Sequence, residues 1–314
     1  MVISISSQPV IECNQQVPAA SALLKILAYF DLFDYPLTRA ELRSYLKVPI
    51  NQRDLDSVIE SMVKEKKIFD LGGFYSLQAD PSLHDRRKAG NARASRLMRK
   101  AYAIGRFLFL FPFVKGVGIS GSLSKDYADK SADIDFFIIT SANRLWIART
   151  ILHCFKKLTF LTGHQHYFCM NYFIDESARE IDPKNIFTAI EIVTLRPVAG
   201  KRAFHHFFEA NKWADEMFPY HRASLQQEFE DRRPKRKKIT GGLFRTTVDR
   251  IDNRFMRITS DRWKVKTEKG CQNKNGRTVH LVTGKHFCRS NPGAFMEKVL
   301  AAYEQKLNNL GFRE

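Results

Sequence analysis

Asp133 and Asp135 stand two residues apart in the segment Ala132-Asp133-Ile134-Asp135-Phe136-Phe137-Ile138-Ile139-Thr140. The apolar run that follows them reads as a strand. Side chains alternate faces along a strand, so the two carboxylates point one way while Ile134 points into the core. Two like charges side by side are unfavourable unless a cation neutralises them. Mg²⁺ does so with one or two carboxylates, and completes its shell with water and phosphate oxygens. An earlier apolar segment, Val117 to Ser120, runs directly into Gly121-Ser122. Glycine lets the backbone approach a triphosphate closely, and the Ser122 hydroxyl and neighbouring N–H groups can donate to phosphate oxygens. Lys125 is placed to offset phosphate charge. Ser124 is read as a further phosphate contact, since no partner base marks it as a nucleophile.

These residues form a pattern: a strand ending in Gly121-Ser122, a spacer of about ten residues, then Asp133-Ile134-Asp135 between apolar strands. The pattern resembles the signature of the DNA polymerase beta-like nucleotidyltransferase superfamily. The resemblance is strong over about 25 residues and extends loosely to Gly200. It implies that Gly121 and Ser122 hold the phosphates of an incoming NTP, and that Asp133 and Asp135 hold Mg²⁺ in a two-metal site. The implied reaction is in-line attack by an acceptor hydroxyl on the α-phosphate, with release of pyrophosphate. Active members of that superfamily carry a third carboxylate on a later strand. Here that strand is Phe168 to Glu176, with Asn171 at its centre and Asp175 at its end. Either Asp175 serves as the third acid, or Asn171 takes the position and catalysis is altered or absent. Asn171 is the residue expected nearest the metals, although an amide carries no charge and is a poor general base.

Other candidates give weaker patterns. His164 and His166 alternate like ligands but lack a third partner. His205 and His206 lie in an aromatic helical stretch that reads as packing. Glu191, in an apolar helix, reads equally as a buried polar contact near the site or as a substrate contact.

The elements that must position this chemistry belong to an α+β fold. Residues 107–200 read as a nucleotidyltransferase-fold mixed sheet with flanking helices. Before it, residues 18–80 show three apolar-periodic helices and a glycine-turn hairpin, the element order of a winged helix-turn-helix-like module. Thr38 and Glu41 have capping-box spacing. The third helix of this module mixes acids and bases, so DNA binding and a protein-packing role both fit it. Residues 1–17 are patternless and read as a flexible tail. Residues 81–106 read as a basic helical connector, and residues 201–314 as a basic, mostly helical C-terminal region. In the last of these, Arg232 to Lys238 form a basic run. Phe244, Val248, Ile251, Phe255 and Ile258 step along one helix face, with arginines on the other.

The chain of 314 residues has 51 Lys plus Arg against 33 Asp plus Glu, a formal charge of +18. Such a balance favours polyanions, so an NTP, an unidentified acceptor and nucleic acid are the partners it admits. Five cysteines without a C-x-x-C pair argue against a disulfide framework and a zinc ribbon. No secretory signal is evident, and the most apolar run, Phe107 to Val114, is too short to insert in a membrane. The expectation is a cytoplasmic enzyme.

Overall fold

A computed structural model describes residues 13–47, 50–163, 165–221, 242–273 and 276–312. The Arg232–Lys238 run, His164, the first twelve residues and the Phe244 side chain lie outside the described residues. The chain divides into two compact units. One holds residues 13–87, 216–221 and 301–312. The other holds residues 88–215 and 242–300.

In the first unit, helix α1 (Cys13–Asp31) leads to strand β1 (Leu37–Thr38), helices α2 (Arg39–Ser44) and α3 (Gln52–Lys64), and strands β2 (Phe69–Asp70) and β3 (Phe74–Ser76). The expected tail therefore ends earlier than read: α1 reaches back to Cys13. Among the described side chains of α1, Ala19 and Leu23 are buried, and apolar periodicity in the sequence starts with them. The capping box is present: the Thr38 side chain accepts from the Glu41 N–H, and Glu41 accepts from the Thr38 N–H. The three short strands pair in the order β1-β3-β2. Arg87 is buried against them, stacked 3.7 Å from the Tyr35 ring and paired with Glu41.

The second unit is built on a six-stranded mixed sheet. Helix α4 (Ser82–Leu108) precedes β4 (Val114–Ser120), the one-turn α5 (Gly121–Ser124) and β5 (Asp135–Thr140). Then come α6 (Leu145–Leu158), two 3₁₀ turns, β6 (Cys169–Asp175), α7 (Ile186–Val193) and β7 (Arg196–Ala199). Helices α8 (Lys201–Ala210), α9 (Lys212–Met217) and α10 (Gly242–Glu268) follow, then β8 (Leu281–Thr283), β9 (Phe287–Ser290) and α11 (Phe295–Asn309). The strand order is β7-β4-β5-β6-β9-β8. Only β5 and β6 pair in parallel, and α6 makes the crossover that a parallel pair requires.

Apolar side chains of alternate strand residues feed two layers. Phe136, Ile138, Phe173 and Cys288 meet Leu108 of α4, Trp146 and Leu152 of α6, and Phe255 and Met256 of α10. On the other face Phe137 meets Phe207, and the ring of Phe204 occupies the space beside Gly116 and Gly118. A Cβ on Gly118 would come within 2.9 Å of that ring.

Besides its helices, the region from residue 201 holds strands β8 and β9, which extend the central sheet through pairing of β9 with β6. The buried face of α10 differs from the expectation. Val248 and Asp252 are buried, whereas Ile251 and Ile258 are 42% and 37% exposed. The reason is Asp252, whose carboxylate accepts from the Ile147 N–H at 2.9 Å and so caps the start of α6. Among the described residues no helix is long and apolar enough to cross a membrane.

Candidate functional site

Strand β4 ends at Ser120, and the backbone turns at Gly121 with φ +69°. Only glycine takes that conformation without strain. The turn is also close-packed: a Cβ on Gly121 would lie 2.6 Å from Oδ2 of Asp135. The Gly121→Ala variant should therefore distort both turn and carboxylate, costing about 1–3 kcal/mol of stability and displacing Asp135. Thermal unfolding together with Mg²⁺–NTP titration measures both effects. An Ala variant as stable as wild type would contradict this packing.

After Gly121 the chain makes a single helical turn. The Ser124 hydroxyl is buried and donates to the Gly121 carbonyl at 2.8 Å, so Ser124 braces the turn instead of facing a ligand. Ser122 is exposed. The Lys125 ammonium bonds the Gly121 carbonyl at 3.1 Å and Oε1 of Glu191 at 2.7 Å. It is thus already neutralised by a carboxylate from α7. Arg196, at the start of β7, donates to the Ser124 carbonyl at 2.7 Å and pairs with Asp126. Arg93 of α4 donates to the Ala128 carbonyl at 2.8 Å. Three basic side chains therefore hold the loop between β4 and β5. Their roles depend on contacts distant in sequence, which no local pattern announces.

Strand register assembles the acidic side. Ser120 stands opposite Asp135, and Asp135 stands opposite Cys169. Asp133 precedes the strand in the loop, and Ile134 between the acids is fully buried, as the alternation requires. The pairing of β5 with β6 shifts between Phe136 and Phe137, and Asn171 occupies the shift. From there its Nδ2 donates to Oδ1 of Asp135 at 2.5 Å, while its Oδ1 accepts from the Cys169 thiol at 3.3 Å. Burial pushes the Asp135 carboxyl up to about 7, and the charges of Asp133 and Glu191 push it the same way. Burial likewise raises the Cys169 thiol to about 12, so it serves as a neutral donor.

Asp175 does not join this group. It pairs with Thr140 at the opposite end of β6, ~17 Å away at ~3.3 Å per strand residue. It is fully buried there, accepting from the Asn143 N–H, the Ser177 N–H and Nδ1 of His286. His166 lies on a 3₁₀ turn with its ring against Tyr167, and His205 is exposed on α8. Glu191 of α7 adds a negative charge that raises the Asp135 carboxyl, and Cys169 is a neighbour that no local pattern announced.

Among the described residues, no three His, Cys, Asp or Glu side chains gather as a ready-made metal cage. The donor chemistry nonetheless fits a hard cation. Asp135 is held partly protonated by burial and by the Asp133 charge, and a divalent ion relieves both. No family model, curated protein or solved structure matches the chain.

Proposed function

We propose that the chain is a Mg²⁺-dependent nucleotidyltransferase that moves a nucleoside monophosphate from an NTP to a hydroxyl acceptor. The observation that carries this reading is the register Ser120–Asp135–Cys169, which gathers the Gly121-Ser122 turn, the acidic pair and Asn171 at one end of three neighbouring strands. Asp133 and Asp135 would hold Mg²⁺, and bound Mg²⁺ would supply charge neutralisation and orientation of phosphate oxygens. Ser122, exposed on the turn, donates to the phosphates. Gly121 lets the backbone lie against Asp135. Asn171 fixes Oδ1 of Asp135 through its amide N–H but cannot take up a proton. The acceptor hydroxyl's proton therefore passes to a carboxylate oxygen or to water. Lys125 and Glu191 form a pair that stiffens the turn. Ser124 and Asp175 drop out of the proposed machinery on their buried contacts.

The first unit supports a winged-helix-like reading through its order of helices and strands. Its third helix exposes both Arg53 and Glu60, and Asp56 pairs with Arg39. That mixed face suits a protein contact better than a DNA backbone.

A second reading is favoured by the amide at position 171 and the neutralised Lys125. It is a nucleic-acid-binding or scaffold protein whose transferase fold does not catalyse. Calorimetric titration of each NTP with Mg²⁺ separates the two. Binding that needs both Mg²⁺ and the carboxylates, lost in Asp133→Ala/Asp135→Ala, supports the enzyme. No NTP binding, with strongly salt-dependent nucleic-acid affinity indifferent to Asp133→Ala, supports the second reading.

A further inference from the structure

A single exposed apolar side chain needs no explanation, but two helices of the second unit expose several side by side. The most apolar run of the sequence, Phe107 to Val114, is not all core. Phe107 at the end of α4 is 42% exposed. Leu110, whose N–H bonds the Phe107 carbonyl at 3.0 Å, is 46% exposed. On α6 Leu158 is 63% exposed, and Leu161 in the first 3₁₀ turn (Thr159–Thr162) is 87% exposed. Rings join the two helices. Phe107 lies 5.2 Å from Phe155 and 5.4 Å from Phe111, and Phe111 lies 5.3 Å from Phe155. Leu158 follows Phe155 by three residues, so the two share one side of α6.

The charge carried by these elements has one sign. Between Asp85 and Asp126 the chain has no acidic residue, and between Asp135 and Asp175 it again has none. Those two stretches supply α4 after Asp85, the whole of α6 and both 3₁₀ turns. Arg96, Arg99, Lys100 and Arg106 are exposed along α4, and Lys157 is exposed beside Leu158 in the last turn of α6. Lys100 reaches across to the second 3₁₀ turn (Gln165–Tyr167). Its ammonium lies 3.2 Å from the Tyr167 hydroxyl and 5.0 Å from the centroid of that ring. Exposed apolar tips and exposed cations thus belong to the same pair of helices.

Such a face is complementary to a surface that is negative outside and apolar just below, which is the character of an anionic lipid bilayer. A single-stranded nucleic acid shares the charge but needs open ring faces for its bases. Here the rings of Phe107, Phe111 and Phe155 pack T-shaped or tilted against one another, and the side chains most open to solvent are the aliphatic Leu158 and Leu161. A second copy of the chain would bring two basic rims together, which repel. We propose that the α4–α6 face is a membrane-association surface. It seats Phe107, Leu110, Leu158 and Leu161 at the acyl-chain boundary of an anionic bilayer and leaves Arg106 and Lys157 among the headgroups. Contact of this kind is peripheral and needs no membrane-spanning helix. It does not depend on the nucleotidyltransferase reading.

The test is flotation of the full chain with two kinds of vesicle, phosphatidylcholine alone and phosphatidylcholine with about 30% phosphatidylserine. Binding to the anionic vesicles is expected at low ionic strength, at least about tenfold tighter than to the neutral ones and weakened by salt. Leu158→Ser/Leu161→Ser should weaken it at least about tenfold by removing the apolar tips. Arg106→Glu/Lys157→Glu should do the same by reversing the charge. A Leu161→Trp variant reads the contact directly: relative to wild type, its added fluorescence should shift to shorter wavelength on anionic vesicles. Three results would overturn the surface. They are no binding to either vesicle, wild-type binding in the leucine double variant, and an unshifted Leu161→Trp signal in vesicle-bound protein. Binding of single-stranded oligothymidylate that the leucine double variant loses, with vesicles left unbound, would assign the face to nucleic acid instead. A dimer broken by the same variant, with vesicles again unbound, would make it an interface between copies.

Discussion

Asp135→Asn should abolish Mg²⁺-dependent NTP binding while making the ligand-free protein more stable above neutral pH. The binding loss should be at least about a hundredfold, or about 2.7 kcal/mol. The substitution removes the charged oxygen that would contact the cation and leaves the shape nearly unchanged. The gain in stability follows from the sign of the Asp135 shift. Its folded-state pKa stands near 7, above its ordinary value of 3.8. Between those values the folded chain binds more protons than the unfolded chain, so the residue's contribution to stability falls as pH rises through that window. Above about pH 7 the ionised form is held at full cost. An amide carries no such cost, and its oxygen can accept the bond from Nδ2 of Asn171. Because the side chain keeps partial contact with water, the difference is roughly 1–2 kcal/mol at pH 8, about 3–6 °C in Tm. It should vanish near pH 4. Thermal unfolding at both pH values, paired with NTP titration, measures both halves. Unchanged nucleotide binding in Asp135→Asn would sink the proposed site. A variant equally stable at both pH values would sink the account of its electrostatics.

Opposite effects on stability and binding are expected where a sequence keeps charge in a costly place for function. That feature was legible at sequence level in part. The alternation Asp133-Ile134-Asp135 announced one buried and two outward side chains, and Ile134 is fully buried as read. The capping box at Thr38 and the glycine turn between β2 and β3 were also legible, because each is a local arrangement set by residues within four positions. The rest depends on partners far away in sequence, 35 residues between Arg93 and Ala128 and 105 between Ile147 and Asp252. Strands β8 and β9 are three and four residues long, and each is a strand because the edge of β6 receives β9. The apolar spacing of α10 predicts a buried face that includes Ile251, yet Asp252 is buried and Ile251 is not. A buried acid at that position makes sense only beside the unsatisfied N–H groups at the start of α6. The loop clamps from Arg196 and Arg93 and the link from Lys125 to Glu191 are of the same kind. Between Asn171 and Asp175, the strand position leaned toward Asn171, and the register bulge beside Asp135 puts Asn171 in contact with it.

Trp146→Ala should be the most destabilising single change in the second unit. Trp146 is fully buried in the first turn of α6, and its Nε1 donates to the Gly284 carbonyl in the turn between β8 and β9 at 3.2 Å. Truncating such a side chain costs about 3–5 kcal/mol in lost burial and cavity formation. Leaving a carbonyl short of its donor adds about 1 kcal/mol. The sum should lower Tm by about 12–18 °C. Trp146→Phe restores most of the volume but not the donor, so it should cost about 1–2 kcal/mol. The contrast between the two variants separates packing from hydrogen bonding. It also locates the damage. The indole links α6 to the β8–β9 turn, so hydrogen exchange should accelerate first in residues 281–290, the two strands that extend the sheet past β6. Asp133 and Asp135 sit at the other end of β5, and their cation binding at temperatures below the transition should survive. Exchange that instead rises uniformly across all six strands would mean that the edge strands and the site-bearing strands open as one cooperative element.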